Sequence, residues 1–218
     1  SGADLRNANL YIAKLSDADL SGADLTNANF FNADLDGAEL SDVKLSGADL
    51  RNTDLSGANL SGVDLSNANL NRAILTLADL SGANLDGVNL ISANVTRADL
   101  SGASLRNARL DIADLRVTDL SGADLSGAAL RLARFSASTD FSGADLTGIS
   151  GTDVNGCTSL LPEGWVCGGD PVLSLTYDES LLPPEPPEPE FFTFKPFLVN
   201  KKVKVFNNSL PYQIECFD

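Results

Sequence analysis

Residues 46–65 read SGADLRNTDLSGANLSGVDL, which is four successive five-residue units that each end in Leu. The same period runs from Leu5 to Phe135, and every fifth residue in this range is Leu except Phe30, Val95 and Phe135 itself. Two residues before each of these positions stands a small residue, most often Ala, and the residue between them is most often Asp or Asn. Any fold of this chain must therefore bury two apolar positions in every five.

Neither an α-helix nor a flat strand can bury this pattern. Residues five apart on a helix differ by roughly 140° around the axis, so the Leu side chains would scatter. On a flat strand the unequal spacing would turn the apolar face over at every unit. The pattern closes if the chain bends by about 90° once per unit, which gives coils of four units. Ser recurs at residues 1, 21, 41, 61, 81, 101 and 121, which supports a stacking period of 20 residues.

The corners of such a coil also suit the sequence. The second residue after Leu is mostly Gly, Asn or Asp, as at Gly22, Asn27 and Gly62. These residues tolerate positive φ, and Asp or Asn side chains can accept hydrogen bonds from nearby backbone N–H groups. We therefore predict a rod of about seven coils, stacked about 4.8 Å apart, with backbone groups paired between coils.

The unit Ala-Asp/Asn-Leu-Ser-Gly, unbroken at residues 21–25, 46–50 and 121–125, resembles that of the pentapeptide-repeat proteins. The resemblance covers residues 1–135 and continues at 139–146 after a one-residue insertion. It implies an all-β fold, a right-handed quadrilateral parallel β-helix with Leu and Ala inside and Asp or Asn outside. The Leu161-Pro162-Glu163-Gly164-Trp165 stretch resembles the terminus of many cyanobacterial and plastid members. The chain thus looks like cyanobacterial or thylakoid-lumen members, which implies no single function.

The sequence beyond the regular repeats divides into three segments. We predict the β-helix at 1–150, a C-terminal cap at 151–182, a Pro-rich linker at 183–190 and a β-hairpin-like tail at 191–218. Apolar residues at the end of the rod and in the cap are able to cover the last coil: Ile149, Val154, Leu160, Leu161, Trp165 and Val166. Cys157 and Cys167 flank a turn-rich stretch and could form a disulfide, while free thiols remain equally open.

Several apolar residues occupy outward positions of the rod. They are Ile74, Leu77, Ile112, Val117 and Leu132, and we predict that they form a docking patch for the apolar tail. Docking of the tail onto another chain is the alternative. Tyr11, Ile12 and Phe31 form a second outward apolar group near the first residue. We attribute the exposure of these side chains to a missing N-terminal cap. Homo-oligomerisation through the tail or this end is the corresponding expectation for partners.

Composition argues against several functional classes. The formal net charge is −15 and His is absent, so direct nucleic-acid binding is unexpected and the commonest general base is missing. We therefore predict no catalytic residue and no cofactor. We also predict no metal site, since the calcium-binding nonapeptide pattern is absent. One acidic column is expected on the fourth side of the coil, as a solvated repeat position or as an interaction surface: Asp19, Glu39, Asp79, Asp99 and Asp119, with Asn59 among them.

The favoured function is a non-catalytic structural or protein–protein interaction scaffold whose partner is unknown. The first alternative is a DNA-mimicking inhibitor or protector of a type II topoisomerase (gyrase), by resemblance to acidic members that confer quinolone resistance. That subgroup fits less well, because this chain has Leu at most inward positions, no projecting loop within 1–135 and a long tail. The second alternative is a rod domain of a larger multidomain protein, since the sequence has no Met and starts within the pattern.

Two features of the sequence bear on localisation. No stretch of about 18 consecutive apolar residues is present, so no membrane span is predicted. The resemblance favours the periplasm or thylakoid lumen over the cytoplasm.

Overall fold

The computed structural model describes residues 2–151, 153–156, 158, 160–168 and 173–177. The chain divides into two units, Ser1–Leu182 and Pro183–Asp218, and all described residues belong to the first. The predicted linker at 183–190, the predicted tail at 191–218 and Cys157 lie outside the described residues. The tail-docking and disulfide hypotheses therefore remain predictions.

Parallel β-bridges join residues that are 20 apart along the rod. Four columns of bridges begin at Asp4, Asn9, Lys14 and Asp19, and each links a residue to its equivalent in the next coil. We number the four sides of the coil as faces one to four in this order. One coil therefore takes four units, as the recurrence of Ser predicted. From Asp119 onward the offset becomes 21 residues, which places the predicted one-residue insertion within 136–138.

Extended sheet is scarce, which differs from a simple all-β expectation. Each face contributes a single bridged residue per coil because the chain turns before and after it. The named strands lie after the rod: β1 Asp153–Val154, β2 Trp165–Gly168 and β3 Leu173–Tyr177. They form an antiparallel sheet in the order β1-β3-β2.

The unit Asp24–Ala28 shows how the backbone N–H groups of one repeat are satisfied. Asp24 donates to the preceding coil at 2.9 Å, while Leu25 and Asn27 donate to the following coil at 2.9 and 3.1 Å. Ala28 closes the turn onto the Leu25 carbonyl at 2.9 Å. The remaining N–H, that of Thr26, donates to the Asp24 carboxylate at 3.2 Å. The repeat thus satisfies its backbone by combining coil stacking, a turn and one acidic side chain.

The interior contains the side chains that the period of five placed there. From Ala23 onward the Leu and Ala positions are almost fully buried, and Leu25, Leu50 and Leu85 are 0% exposed. Thr53 takes an Ala position without leaving its hydroxyl unpaired, because the hydroxyl donates to the Phe30 carbonyl at 2.9 Å.

The predicted cap residues take different positions at the end of the rod. Val154 is buried, while Ile149, Leu161 and Trp165 are partly buried against the core. The prediction for Leu160 is wrong, because its side chain is 40% exposed and does not cover the last coil. Its carbonyl accepts the Phe141 N–H at 2.8 Å, and the adjacent Leu161 takes the side that faces the core.

Candidate functional site

The fourth face carries the predicted acidic column in an unbroken line. Successive bridges join Asp19, Glu39, Asn59, Asp79, Asp99, Asp119 and Asp140. Asp140 extends the predicted set beyond the insertion. Neighbouring members therefore lie about 4.8 Å apart, so that like charges are stacked along the rod.

These carboxylates have a structural role as well as a charge. One oxygen of Asp79 accepts hydrogen bonds from the Ser81 N–H at 2.9 Å and the Ser81 hydroxyl at 2.7 Å. Asp19 binds Ser21 in the same way, and Asn59 binds Ser61 with its amide oxygen. Among the described residues the second oxygen of each aspartate in the column makes no hydrogen bond or ion pair. Half of each carboxylate thus closes a corner, and the other half remains available to a ligand.

Asp86 accepts hydrogen bonds in a unit that lacks the Asp or Asn side chain that usually accepts the corner N–H. Ser104 stands where most units have Asp or Asn, and the Arg106 N–H donates instead to Asp86 of the preceding coil at 3.3 Å. The Arg106 guanidinium and the Ser104 hydroxyl donate to the same carboxylate, at 3.0 and 2.6 Å. These contacts, with the Arg106 hydrogen bond as the largest cause, hold the pKa of Asp86 below its usual value.

Acid should therefore weaken the rod. The Arg51 guanidinium lowers the pKa of Asp49, and the Thr26 hydroxyl lowers that of Asp24, as Arg106 does for Asp86. A carboxyl with a lower pKa in the folded chain stabilises the fold above its unfolded pKa of about 4, and this stabilisation is lost as the pH falls through the folded pKa. We expect the thermal midpoint, followed by circular dichroism, to fall between about pH 4 and pH 2. The fall should be shallower in Asp86→Asn; an equally steep fall would contradict this assignment.

The second residue after each inward Leu has positive φ throughout the rod. In most units it is Gly, Asn or Asp, which tolerate this left-handed conformation. Eight residues of other types adopt it too: Ile12, Arg72, Leu77, Ser92, Arg97, Ile112, Val117 and Leu132. Side chains of these types are strained in this conformation, most of all the β-branched Ile and Val.

All eight strained residues lie at the two corners that bound the third face. The other two corners use only Gly, Asn and Asp among the described residues. Leu77 is 61% exposed and Ile112 is 46% exposed, so burial does not offset the strain. From residue 72 to residue 132, each corner beside the third face carries a strained residue in every coil. One side of the rod therefore retains solvent-exposed side chains on residues whose backbone conformation is energetically unfavourable.

Relieving this strain should stabilise the protein. Ile112→Asn places at φ 62° a residue that this chain uses at equivalent corners, such as Asn52 at φ 55°. We expect the free energy of unfolding to rise by about 1 kcal/mol, measured by chemical denaturation. Ile91→Asn is the matched control, because Ile91 is the corner residue just before a strained position and has no positive φ. Equal effects of both substitutions would show that strain is not the cause.

Between residues 71 and 137, the same side of the rod has a charge opposite to that of the whole chain. We define the arginine face as residues 71–77, 91–97, 111–117 and 131–137, which are the third face and its two corners in four consecutive coils. It contains two acidic residues, Asp111 and Asp114, and five arginines: Arg72, Arg97, Arg116, Arg131 and Arg134. Asp114 pairs with both Arg116 and Arg134, at 2.7 and 3.3 Å.

A shallow groove of about 520 Å³ lies within the arginine face. Arg97 and Thr96 line it from one coil, Arg116 and Val117 from the next, and Ser136 from the one after. Among the described residues, Arg72 and Arg97 make no ion pair. The groove therefore combines an unpaired guanidinium with an exposed aliphatic side chain.

Comparison with known families agrees with the repeat and its geometry. The model for pentapeptide repeats matches residues 38–76, 98–136 and 113–157, with eight copies. HetL, a pentapeptide repeat protein involved in heterocyst differentiation regulation in the cyanobacterium Nostoc sp., is 33% identical over 71% of this chain and 87% of its own, with a TM-score of 0.22. This chain belongs to the pentapeptide-repeat family. Membership and the observed coil together imply a right-handed β-helix.

Two further solved structures are similar to this pentapeptide-repeat protein. A trypsin-treated form of QnrB1, a plasmid-mediated fluoroquinolone resistance protein, is 22% identical over 69% of this chain and 83% of its own, with a TM-score of 0.58, and shows the shared fold. A pentapeptide repeat protein of the Arabidopsis thaliana thylakoid lumen is 29% identical over 50% of this chain and 65% of its own, with a TM-score of 0.21. No curated protein matches the chain at a significant level.

The structure brings together more residues than the sequence patterns indicated. The five acidic residues lie in one column, and Ile74, Leu77, Ile112, Val117 and Leu132 all lie on the arginine face. Sequence reasoning missed the five arginines beside them. Sorting the residues by corner, with a period of 20, would have found the cluster.

The described residues hold no group of three or more His, Cys, Asp or Glu side chains placed to bind a metal ion. They also contain no helix of the length and hydropathy needed to cross a bilayer.

Proposed function

We propose that this pentapeptide-repeat protein is a non-catalytic structural or protein–protein interaction scaffold. It would consist of a rod of about seven coils, a C-terminal cap and a tail, with the acidic column on its fourth face receiving a basic partner. The observation that carries the proposal is the column of acidic side chains, interrupted only by Asn59, in which each aspartate has one oxygen held by its own corner and one left unbonded among the described residues. Charges fixed at a regular spacing attract a complementary partner without the cost of ordering flexible side chains.

The absence of His from the whole chain supports a non-catalytic role. The groove that the structure describes lies on the arginine face and not beside the acidic column, so we assign the column to binding rather than to acid–base work.

The chain itself offers an isosteric test of the acidic column. Asn59 occupies the column and still accepts the Ser61 N–H and hydroxyl, so Asn can replace Asp there without opening the corner. A variant with Asp79, Asp99, Asp119 and Asp140 all changed to Asn should fold normally and bind a lysine-rich peptide at least tenfold more weakly in calorimetry. A matched variant with four aspartates of other columns changed to Asn, at residues 34, 54, 64 and 145, controls for net charge. Unchanged affinity in the first variant would refute the proposal.

The second candidate is a DNA-mimicking inhibitor or protector of a type II topoisomerase such as gyrase. It is supported by the same acidic column, on a fold shared with QnrB1, which is a fluoroquinolone resistance protein. One carboxylate per coil is a lower charge density than that of duplex DNA, which carries one charge per about 1.7 Å.

A supercoiling assay separates the two candidates. A mimic should inhibit gyrase supercoiling or protect it from a fluoroquinolone, and the four-Asn variant should lose this effect. A scaffold should leave supercoiling unchanged at concentrations that saturate the lysine-rich peptide.

A further inference from the structure

We propose that the arginine face is a second interaction surface, which binds an extended acidic segment of a partner protein that also carries apolar side chains. The inference goes beyond the proposed function, because it concerns a different face of the rod and a partner of opposite charge. It rests on three independent features of the described residues: backbone strain, charge and shape.

Backbone strain singles out this face first. A corner of this coil is built most easily with Gly, Asn or Asp, and the rod uses these residues at both corners away from the third face. Beside the third face it instead keeps Leu77, Ile112, Val117 and Leu132 in the left-handed conformation, with their side chains exposed. Strain that the rod's own packing does not require is typical of sites shaped for a ligand.

Charge and composition define the chemistry of the partner. Five arginines face two aspartates on a chain whose net charge is −15, and two of the arginines, Arg72 and Arg97, are unpaired among the described residues. Arginine is enriched at protein interfaces, and its aliphatic stem can be covered there together with neighbouring apolar side chains. Carboxylates would pair with the free guanidiniums, and apolar side chains would cover Ile112, Val117 and Leu132.

The shape of the face favours an extended segment. Ile74, Asn94, Asp114 and Arg134 follow one another by single-residue bridges, so the face repeats at about 4.8 Å along the rod. The groove between Arg97 and Val117 crosses successive coils. An extended peptide in which acidic and apolar residues alternate would meet this repeat along its length.

Other occupants fit less well. A nucleic acid would satisfy the arginines but leave the aliphatic side chains uncovered, and the rest of the chain would repel it. A second copy bound through the same face would oppose arginine to arginine, and the acidic column of a second copy presents no comparable apolar side chains.

The test uses the full chain and a synthetic peptide of alternating Glu and Val as the probe. We expect calorimetry to detect binding that weakens as salt is raised from 50 to 500 mM, and little binding of the matching Gln-Val peptide. Changing Arg72 and Arg97 to Gln should weaken binding at least tenfold without breaking an ion pair among the described residues. Lys44→Gln with Arg109→Gln removes two charges from other faces and should leave the affinity unchanged.

A second variant separates binding from folding. Changing Ile112, Val117 and Leu132 to Asn should raise the thermal midpoint and reduce Glu-Val binding at least tenfold, which a merely damaged rod would not do. Asn27→Gly with Asn107→Gly alters a corner away from this face and should leave binding unchanged. Binding of the lysine-rich peptide should be the same in all these variants, so failure of this inference and failure of the proposed function are distinguishable.

Four outcomes would overturn the proposal. The first is that all the variants retain their affinity for the Glu-Val peptide. The second is tighter binding of duplex DNA through the same arginines, and the third is self-association of the peptide-free chain that the Asn variant abolishes. The fourth is capture of residues 183–218 of the same chain by a photo-reactive side chain at position 117. The last three would assign the face to a nucleic acid, to a second copy or to the chain's own C-terminal segment.

Discussion

Changing Leu85 to Asp is expected to abolish the folded rod. Leu85 is 0% exposed and lies in a middle coil, where Leu65 and Leu105 occupy the equivalent positions of the coils on either side. A carboxylate placed there would lose its water and gain no partner, which costs several kcal/mol. The net stability of a domain is only about 5–15 kcal/mol, so one such group can remove most of it. Circular dichroism and gel filtration should show loss of the cooperative unfolding transition and of the monodisperse species.

Two further variants keep this prediction falsifiable. Leu85→Ala should fold and lower the free energy of unfolding by about 2–5 kcal/mol. Leu5→Ala removes the same atoms from the same column, but Leu5 is only partly buried, so the loss should be clearly smaller. Equal losses for Leu5 and Leu85 would contradict a closed core.

Changing Gly156 to Ala is expected to dislocate the last described coil. Gly156 has a φ of 96°, and a Cβ atom built on it would overlap the backbone carbonyl oxygen of Phe135. Because backbone cannot rotate away as a flexible side chain can, the segment from Gly156 onward must shift. We expect a loss of more than about 2 kcal/mol in unfolding free energy, together with faster hydrogen exchange at Phe141, whose N–H donates to the Leu160 carbonyl.

Gly57→Ala is the matched control for this prediction. Gly57 also has positive φ, at 64°, but a Cβ atom there would meet nothing within 4 Å. It should therefore cost only the strain of the left-handed conformation, about 1 kcal/mol, and leave exchange at Phe141 unchanged. Equal costs at both positions would show that the contact with Phe135 does not matter.

The interior of the rod could be predicted from the sequence because a period of five leaves few geometries that bury Leu and Ala together. The inward positions from Ala23 onward, the 20-residue stacking and the insertion before Thr139 all follow from counting residues. The same counting aligned the acidic column, since members 20 apart in sequence must be neighbours across coils. The role of that column as an interaction surface stays a proposal, because alignment does not identify a ligand.

The arginine face could not be read in the same way. Its arginines occupy different positions of the repeat, so they form a cluster only when the phase of the coil and the direction of each corner are known. The strain at Ile112 and Val117 depends on the measured φ, since the sequence shows only that apolar residues replace Gly or Asn there. Leu160 illustrates the limit at the rod end, where the regular period stops and backbone pairing with Phe141 decides which neighbour faces inward.

The distance between spin labels at residues 41 and 121, measured by pulsed electron–electron double resonance, tests the four-sided coil most directly. The two labels would replace Ser41 and Ser121, in a chain whose Cys157, Cys167 and Cys216 are changed to Ser. These positions are four coils apart on one edge, so the 20-residue coil predicts a narrow distribution near about 19 Å. A broad distribution, or a distance above about 35 Å, would contradict the coil, since 80 residues of helix would span about 120 Å.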